Sequence, residues 1–211
     1  MSIHINVLRA YFEMARAISD VLTVEMKKGD DKPPDVNEKQ MANIQFSLVS
    51  TIIIQCYMTI ESTINNNLKD LWKESHKREN GKSIYHEFYE KYGCYENFED
   101  LKNEKALRNL GDRIKIICKT REIPQLHESD KETWEFFKKI EKVYRHYLIH
   151  IYPDNTKFHD LVNDILTKNE LGDYLKTVQK IISHFYTQEK LDQMEWLDKN
   201  TLYKFSGIEY L

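Results

Sequence analysis

Apolar residues along this chain recur three and four positions apart far more often than they alternate, and that is helical spacing. From Ile3 to Lys27 the positions Val7, Leu8, Tyr11, Ala15, Ile18 and Leu22 form one stripe, stopped by Gly29-Asp30-Asp31-Lys32-Pro33-Pro34. Asp35 to Glu38 has capping-box spacing and opens a second helix, whose stripe of Phe46, Val49, Ile53, Ile60, Ile64, Leu68 and Leu71 runs to about Ser75. Its length is uncommon, and Asn65-Asn66-Asn67 marks the expected kink. The charged, Gly-containing connection His76 to Ser83 and the aromatic segment Ile84 to Tyr92, closed by Gly93, read together as a hairpin insertion.

A third helix is expected over Asn97 to Lys119, with Leu101, Ala106, Leu110, Ile114 and Cys118 on one side and Gly111 as its interruption. Ser129-Asp130-Lys131-Glu132 is another capping box, and the helix it opens should run from Lys131 until Pro153 breaks it. A shorter helix around Lys157 to Thr167 and a longer one from Leu171 to Gln188, with Leu175, Val178, Ile181, Ile182 and Phe185 inward, complete the pattern. No segment reads as a strand. The expected architecture is an all-α bundle of long antiparallel helices over residues 1–195, with an insertion at about 76–96 and a tail at 196–211 that packs back or against a partner.

Composition agrees with that pattern and narrows the class. Six Gly and four Pro in 211 residues leave few turn formers, and 41% hydrophobic with 31% charged residues is the balance of a soluble globular chain. The net charge of −3 argues against an indiscriminate nucleic-acid coat, though not against a local basic face. Cys56, Cys94 and Cys118 form no CxxC pair, which with the lack of a secretion signal at Met1 to Val7 points to a reduced, cytoplasmic protein. The most apolar run, Leu48 to Ile60, is interrupted by polar residues and ends at Glu61, short of the ~20 residues of a membrane span. No membrane association is expected.

The segment Arg145-His146-Tyr147-Leu148-Ile149-His150-Ile151-Tyr152 is where chemistry concentrates. At about 100° per residue, Phe137, Ile140, Tyr144, Leu148 and Ile151 share a core face, while Arg145 and His150 lie about 140° apart on the reverse side, with His146 and Ile149 between them. An Ile among Arg and His residues there implies a covered face, most simply by a second copy across a two-fold axis. Arg supplies a bidentate phosphate donor and His titrates near neutral pH, so the pair suits phosphodiester chemistry. Chance gives about 0.3 bare RxxxxH matches in a chain with seven Arg and eight His, and about 0.02 once the final Tyr is required.

This arrangement resembles the signature of the HEPN superfamily, small all-α proteins of prokaryotic defence and toxin systems, with Thr59-Ile60-Glu61-Ser62-Thr63-Ile64 as a loose match to an acidic element on an earlier helix. The resemblance implies a HEPN-like bundle and a metal-independent endoribonuclease acting as a homodimer, with Arg145 and His150 catalytic and His146 and Tyr152 supporting. It implies no cofactor and no metal; RNA is the implied substrate, and a toxin setting would add an antitoxin or regulatory protein as partner. Three alternatives stay open. Arg145 and His150 also read as anchors of a dimer in a catalytically silent HEPN-like module that recognises a partner protein or nucleotide. His146 and His150 have the HxxxH spacing of two metal ligands, but no acidic residue stands between them and no third ligand is identifiable. Finally, Lys102 to Arg121 carries seven basic residues against Glu104 and Asp112, making Arg108, Arg113, Lys115 and Lys119 candidates for an RNA track or simply a solvated helix face.

Overall fold

A computed structural model describes residues 38–79, 82–143, 160, 164–165, 168, 171–194 and 197. Its longest element, α1 (Glu38–Ser75), runs as one helix through Asn65-Asn66-Asn67, where a kink was expected. Those asparagines have other partners. Asn67 donates to the Thr63 carbonyl (2.9 Å), and the side-chain oxygens of Asn65 and Asn67 each accept from an arginine of a neighbouring helix. The apolar character of α1 also extends further than Leu48 to Ile60: Ser47–Ser75 is long and apolar enough to cross a membrane, with 56% of its most apolar window buried within the fold. Val49, Ile52, Ile53, Cys56, Ile60, Ile64, Leu68 and Leu71 are fully enclosed, so this is the central helix of the core.

After α1 the chain makes a minimal antiparallel hairpin, β1 (Arg78–Glu79) with β2 (Lys82–Ser83), inside the segment read as a hairpin insertion, although no strand was expected and the aromatic part of that segment is helical. Ser83 ties it down by donating to the Ser75 carbonyl at the end of α1. Helix α2 (His86–Tyr92) follows and buries Phe88 and Tyr92 one turn apart, with ring centroids 4.9 Å from each other.

The single helix expected over Asn97 to Lys119 is three pieces: α3 (Phe98–Lys102), a 3-10 turn (Lys105–Leu107) and α4 (Leu110–Thr120). The breaks fall at asparagines, not at Gly111. Asn97 caps α3 by accepting from the Asp100 N–H (2.9 Å), and Asn109 precedes α4 in an extended conformation. Both residues compete for backbone groups and so favour helix ends over helix interiors. Gly111 lies buried inside α4, where a Cβ would sit 3.3 Å from the Trp134 ring and 3.1 Å from Lys138 Nζ; the missing side chain lets α4 approach the helix carrying those residues.

That helix, α6 (Lys131–Val143), is preceded by a short unexpected turn, α5 (Leu126–Ser129). Its cap is Asp130 and not Ser129: Asp130 accepts from the Thr133 N–H (3.0 Å) and from the Thr133 hydroxyl (2.7 Å). The described elements end with α7 (Leu171–Phe185), three residues shorter at its C-terminal end than the expected Leu171 to Gln188, and α8 (Gln188–Asp192). Leu175, Val178, Ile181, Ile182 and Phe185 all face inward as expected. The protein is all-α, with α1 packed against α7, α4 and α6, and α6 against α7. The helix expected over Ile3 to Lys27, most of that over Lys157 to Thr167, and most of the tail lie outside the described residues.

Candidate functional site

Asp130 sets the start of α6, and the helix then proceeds through its described length toward the Arg-His segment. Phe137 and Ile140 are fully buried, while Lys131, Glu132, Glu135, Lys138 and Lys142 are exposed, so the core face deduced from the pattern is the observed one as far as Ile140. Arg145, His146, His150 and Tyr152 lie outside the described residues. The last described turn carries one unusual side chain. Glu141 is buried on the helix and receives a hydrogen bond from Lys138 Nζ at 2.6 Å, an acidic side chain held under cover near the end of the described helix. On α1, Thr59 and Thr63 are buried and spend their hydroxyls on the Gln55 and Thr59 carbonyls, leaving Glu61 half-buried beside them.

The four basic candidates separate. Arg113 turns inward and is 6% exposed: its Nε donates to the Leu107 carbonyl (2.5 Å), and its two terminal nitrogens donate to Asn65 Oδ1 (2.5 Å) and the Lys102 carbonyl (3.3 Å). A planar fork of donors meeting fixed carbonyls is what a guanidinium does best, and here it joins α4 to α1 and closes the break before the 3-10 turn. Arg113 is therefore not on the surface where a nucleic-acid track would need it. Arg121 is similarly committed, donating to Asn67 Oδ1 (2.7 Å) with Glu74 at 3.7 Å. Arg108, Lys115 and Lys119 do reach solvent. Lys115 and Lys138 both lie over the half-buried Trp134 ring, 5.9 and 5.5 Å from its centroid, and Lys119 faces Glu87 at 3.6 Å. The outward face of α4 is thus a short cationic strip beside an indole, a smaller feature than the run of basic letters suggests.

No family model, no curated protein and no solved structure matches this chain. Its own geometry has to carry the reading.

Two features of that geometry have no signal in spacing. His184 Nε2 on α7 lies 3.6 Å from Cys118 Sγ on α4, residues 66 apart in sequence. Thiol beside imidazole is a nucleophile–base arrangement, but Cys118 is fully enclosed and burial pushes its thiol up to about 11. Burial also lowers His184, whose ring bonds the Pro124 carbonyl, so the pair is a neutral packing contact. The second feature is a cleft of about 580 Å³ between α2 and the C-terminal half of α4. Aromatic and aliphatic side chains such as Phe88, Tyr92 and Ile116 share its walls with charged ones, Glu87, Lys91, Lys119 and Glu122. Among the described residues, no group of three His, Cys, Asp or Glu side chains is placed to hold a metal ion.

Proposed function

We propose that this protein is a cytoplasmic, metal-independent endoribonuclease of the HEPN type, working as a homodimer in a prokaryotic defence or toxin–antitoxin setting. The observation that carries the reading is the Arg145–His150–Tyr152 pattern in the sequence that follows α6, a helix whose core face is set by Phe137 and Ile140. An all-α bundle with α6 packed on the central helix is the scaffold such a motif requires.

In this reading the reverse face of the motif helix meets its copy across a two-fold axis. One His150 takes the proton from an RNA 2′-hydroxyl, which attacks the adjacent phosphorus; the other protonates the departing 5′-oxygen. Arg145 neutralises charge building on the phosphoryl oxygens, His146 orients Arg145 or the phosphate, and Tyr152 hydrogen-bonds the substrate or a catalytic side chain. The products are a 2′,3′-cyclic phosphate and a free 5′-hydroxyl. The rival reading, a catalytically silent HEPN-like module that recognises a partner protein or nucleotide, draws support from the burial of Arg113, which thins the cationic surface offered to RNA.

The decisive measurement is RNA cleavage in the presence of EDTA by the wild type and by the Arg145→Ala and His150→Ala variants, with sedimentation to follow the dimer. Both variants should lose at least about a hundredfold in rate, within the range of a positioned acid–base group, while remaining dimeric. Undiminished cleavage by both would remove the assignment, and a wild type inactive on every RNA tried would favour the binding module.

A further inference from the structure

We propose that the C-terminal end of α1, together with the hairpin and α2 that follow it, forms a binding surface for single-stranded nucleic acid. This surface uses none of the Arg145–His150 residues and does not depend on their cleaving RNA.

Lys69, Trp72, Lys73 and His76 recur three and four positions apart, so cation and ring alternate along one face of α1 and the turn that ends it. Rings from two other elements extend that face. Phe98, the first residue of α3, lies 6.5 Å from Trp72 between centroids, and His76 meets Trp72 at 5.0 Å and Tyr89 of α2 at 5.2 Å, both edge to face. A cation stands at each end: Lys69 Nζ is 5.8 Å over the Phe98 ring, and the Arg78 guanidinium of β1 is 4.9 Å over Tyr89. Tyr89 is held in place by an absence. A Cβ on Gly93 would sit 2.6 Å from the Tyr89 ring, so only glycine leaves room for it there. His76 and Arg78 are exposed, and Phe98, Trp72 and Tyr89 are half-buried.

Charge and hydrogen bonding say what such a ladder suits. Residues 69–82 hold five basic side chains against three acidic ones. Neighbouring acids are engaged elsewhere: Glu74 faces Arg121 at 3.7 Å, Glu90 faces His86 at 3.2 Å, Glu87 faces Lys119 at 3.6 Å, and Glu99 meets Lys102 at 2.7 Å. Asp70 is exposed on α1, but Lys73, Lys77 and Lys82 are also exposed and pair with no acid among the described residues. His76 adds a directed acceptor. Its Nδ1 lies 2.7 Å from the Trp72 carbonyl, which can only accept, so in the neutral ring Nδ1 carries the proton and Nε2 is the acceptor. A single strand offers the matching set: flat bases for the rings and guanidinium, phosphates for the lysines, and amino groups for Nε2. An acidic peptide would engage the lysines and leave the rings idle, and a duplex keeps its base faces covered.

Titration of the full chain with a fluorescent single-stranded 2′-O-methyl oligonucleotide at several salt concentrations tests this, in mildly alkaline buffer where an imidazole is uncharged. The probe has no 2′-hydroxyl to attack its own phosphate, so binding and the cleavage reading fail separately. The wild type should bind the single strand at least about tenfold more tightly than the same sequence in a duplex. Lys73→Ala/Lys77→Ala, which removes two exposed, unpaired side chains and keeps the fold by circular dichroism, should flatten the slope of log affinity against log salt by about 1.4, two phosphates at about 0.7 each. His76→Ala and Tyr89→Leu should each weaken binding about tenfold and leave the slope unchanged. Lys190→Ala on α8, where a lysine likewise lies 5.8 Å over the Tyr186 ring, should alter neither quantity. A wild type that does not bind, equal affinity for the duplex, or an unaltered slope in the lysine variant overturns the proposal. Wild-type affinity in both ring variants would show that the ladder only packs the hairpin and α2 onto α1, and overturns it as well.

Discussion

At the scale of single residues, the informative contrast is between two basic side chains two positions apart on α4. Arg113 and Lys115 are alike as letters in a charge run, but only Lys115 is exposed. Arg113 satisfies the Leu107 and Lys102 carbonyls and Asn65 from one guanidinium, and removing it leaves several buried acceptors without donors. Arg113→Ala should therefore destabilise the fold by about 3 kcal/mol, whereas Lys115→Ala should change stability by less than about 0.5 kcal/mol. Chemical denaturation of the two variants checks this, and equal effects would show that the inward guanidinium contributes nothing special. If α4 does carry RNA, Lys115→Ala should also flatten the salt dependence of binding by about one unit of slope. The direction of Arg113 was not legible beforehand because a charge count has no register. What decides it is the break at Asn109, whose extended backbone re-phases α4 relative to α3.

Among the elements, those with strong apolar periodicity were legible and those defined by capping were not. Among the described residues, the stripes of α1 from Val49, of α6 as far as Ile140 and of α7 lie in the core because burying one apolar face dominates helix stability, and such a face is written at fixed spacing. The three-way division of residues 98–120 and the short α5 follow instead from local hydrogen bonds whose gain is about 1 kcal/mol each, too small to leave a periodic trace. The start of α6 illustrates the limit. Ser129 and Asp130 both suit an N-cap, and Asp130 prevails because both its oxygens reach Thr133 while Lys180 on α7 lies 3.2 Å from one of them. Hydrogen bonds from the Thr133 N–H and hydroxyl, with a smaller share from Lys180, hold the Asp130 carboxyl below its ordinary value of 3.8. A depressed carboxylate adds stability that is present above the unfolded value and is lost as pH falls through the folded one. Asp130→Ala should thus cost about 1 kcal/mol at neutral pH, an effect that shrinks below about pH 3.8, while Ser129→Ala should be close to neutral. Thermal melts of both variants at neutral and acid pH separate the two candidate caps.

For the whole molecule, α4 and α7 both pack on the central helix and touch each other at Cys118 and His184. That contact has a pH signature. Burial lowers the His184 ring below its ordinary value of 6.5, partly offset by its bond to the Pro124 carbonyl and by Asp130. The groups facing it are the Cys118 thiol, pushed up to about 11 by burial and so uncharged near neutrality, and the Pro124 carbonyl, which accepts from the ring. Below pH 6.5 the unfolded chain takes up a proton at His184 that the folded chain resists, so the unfolded state binds more protons and stability falls as pH drops. The loss ends once pH passes the folded value and the ring charges in both states. Denaturation midpoints measured across this range should decline in the wild type and decline less in His184→Gln, which keeps polarity without titrating. Identical pH profiles for the two proteins would place the acid sensitivity of the bundle elsewhere, and Asp130, already assigned to the more acid range by its depressed carboxyl, would be the next group to vary.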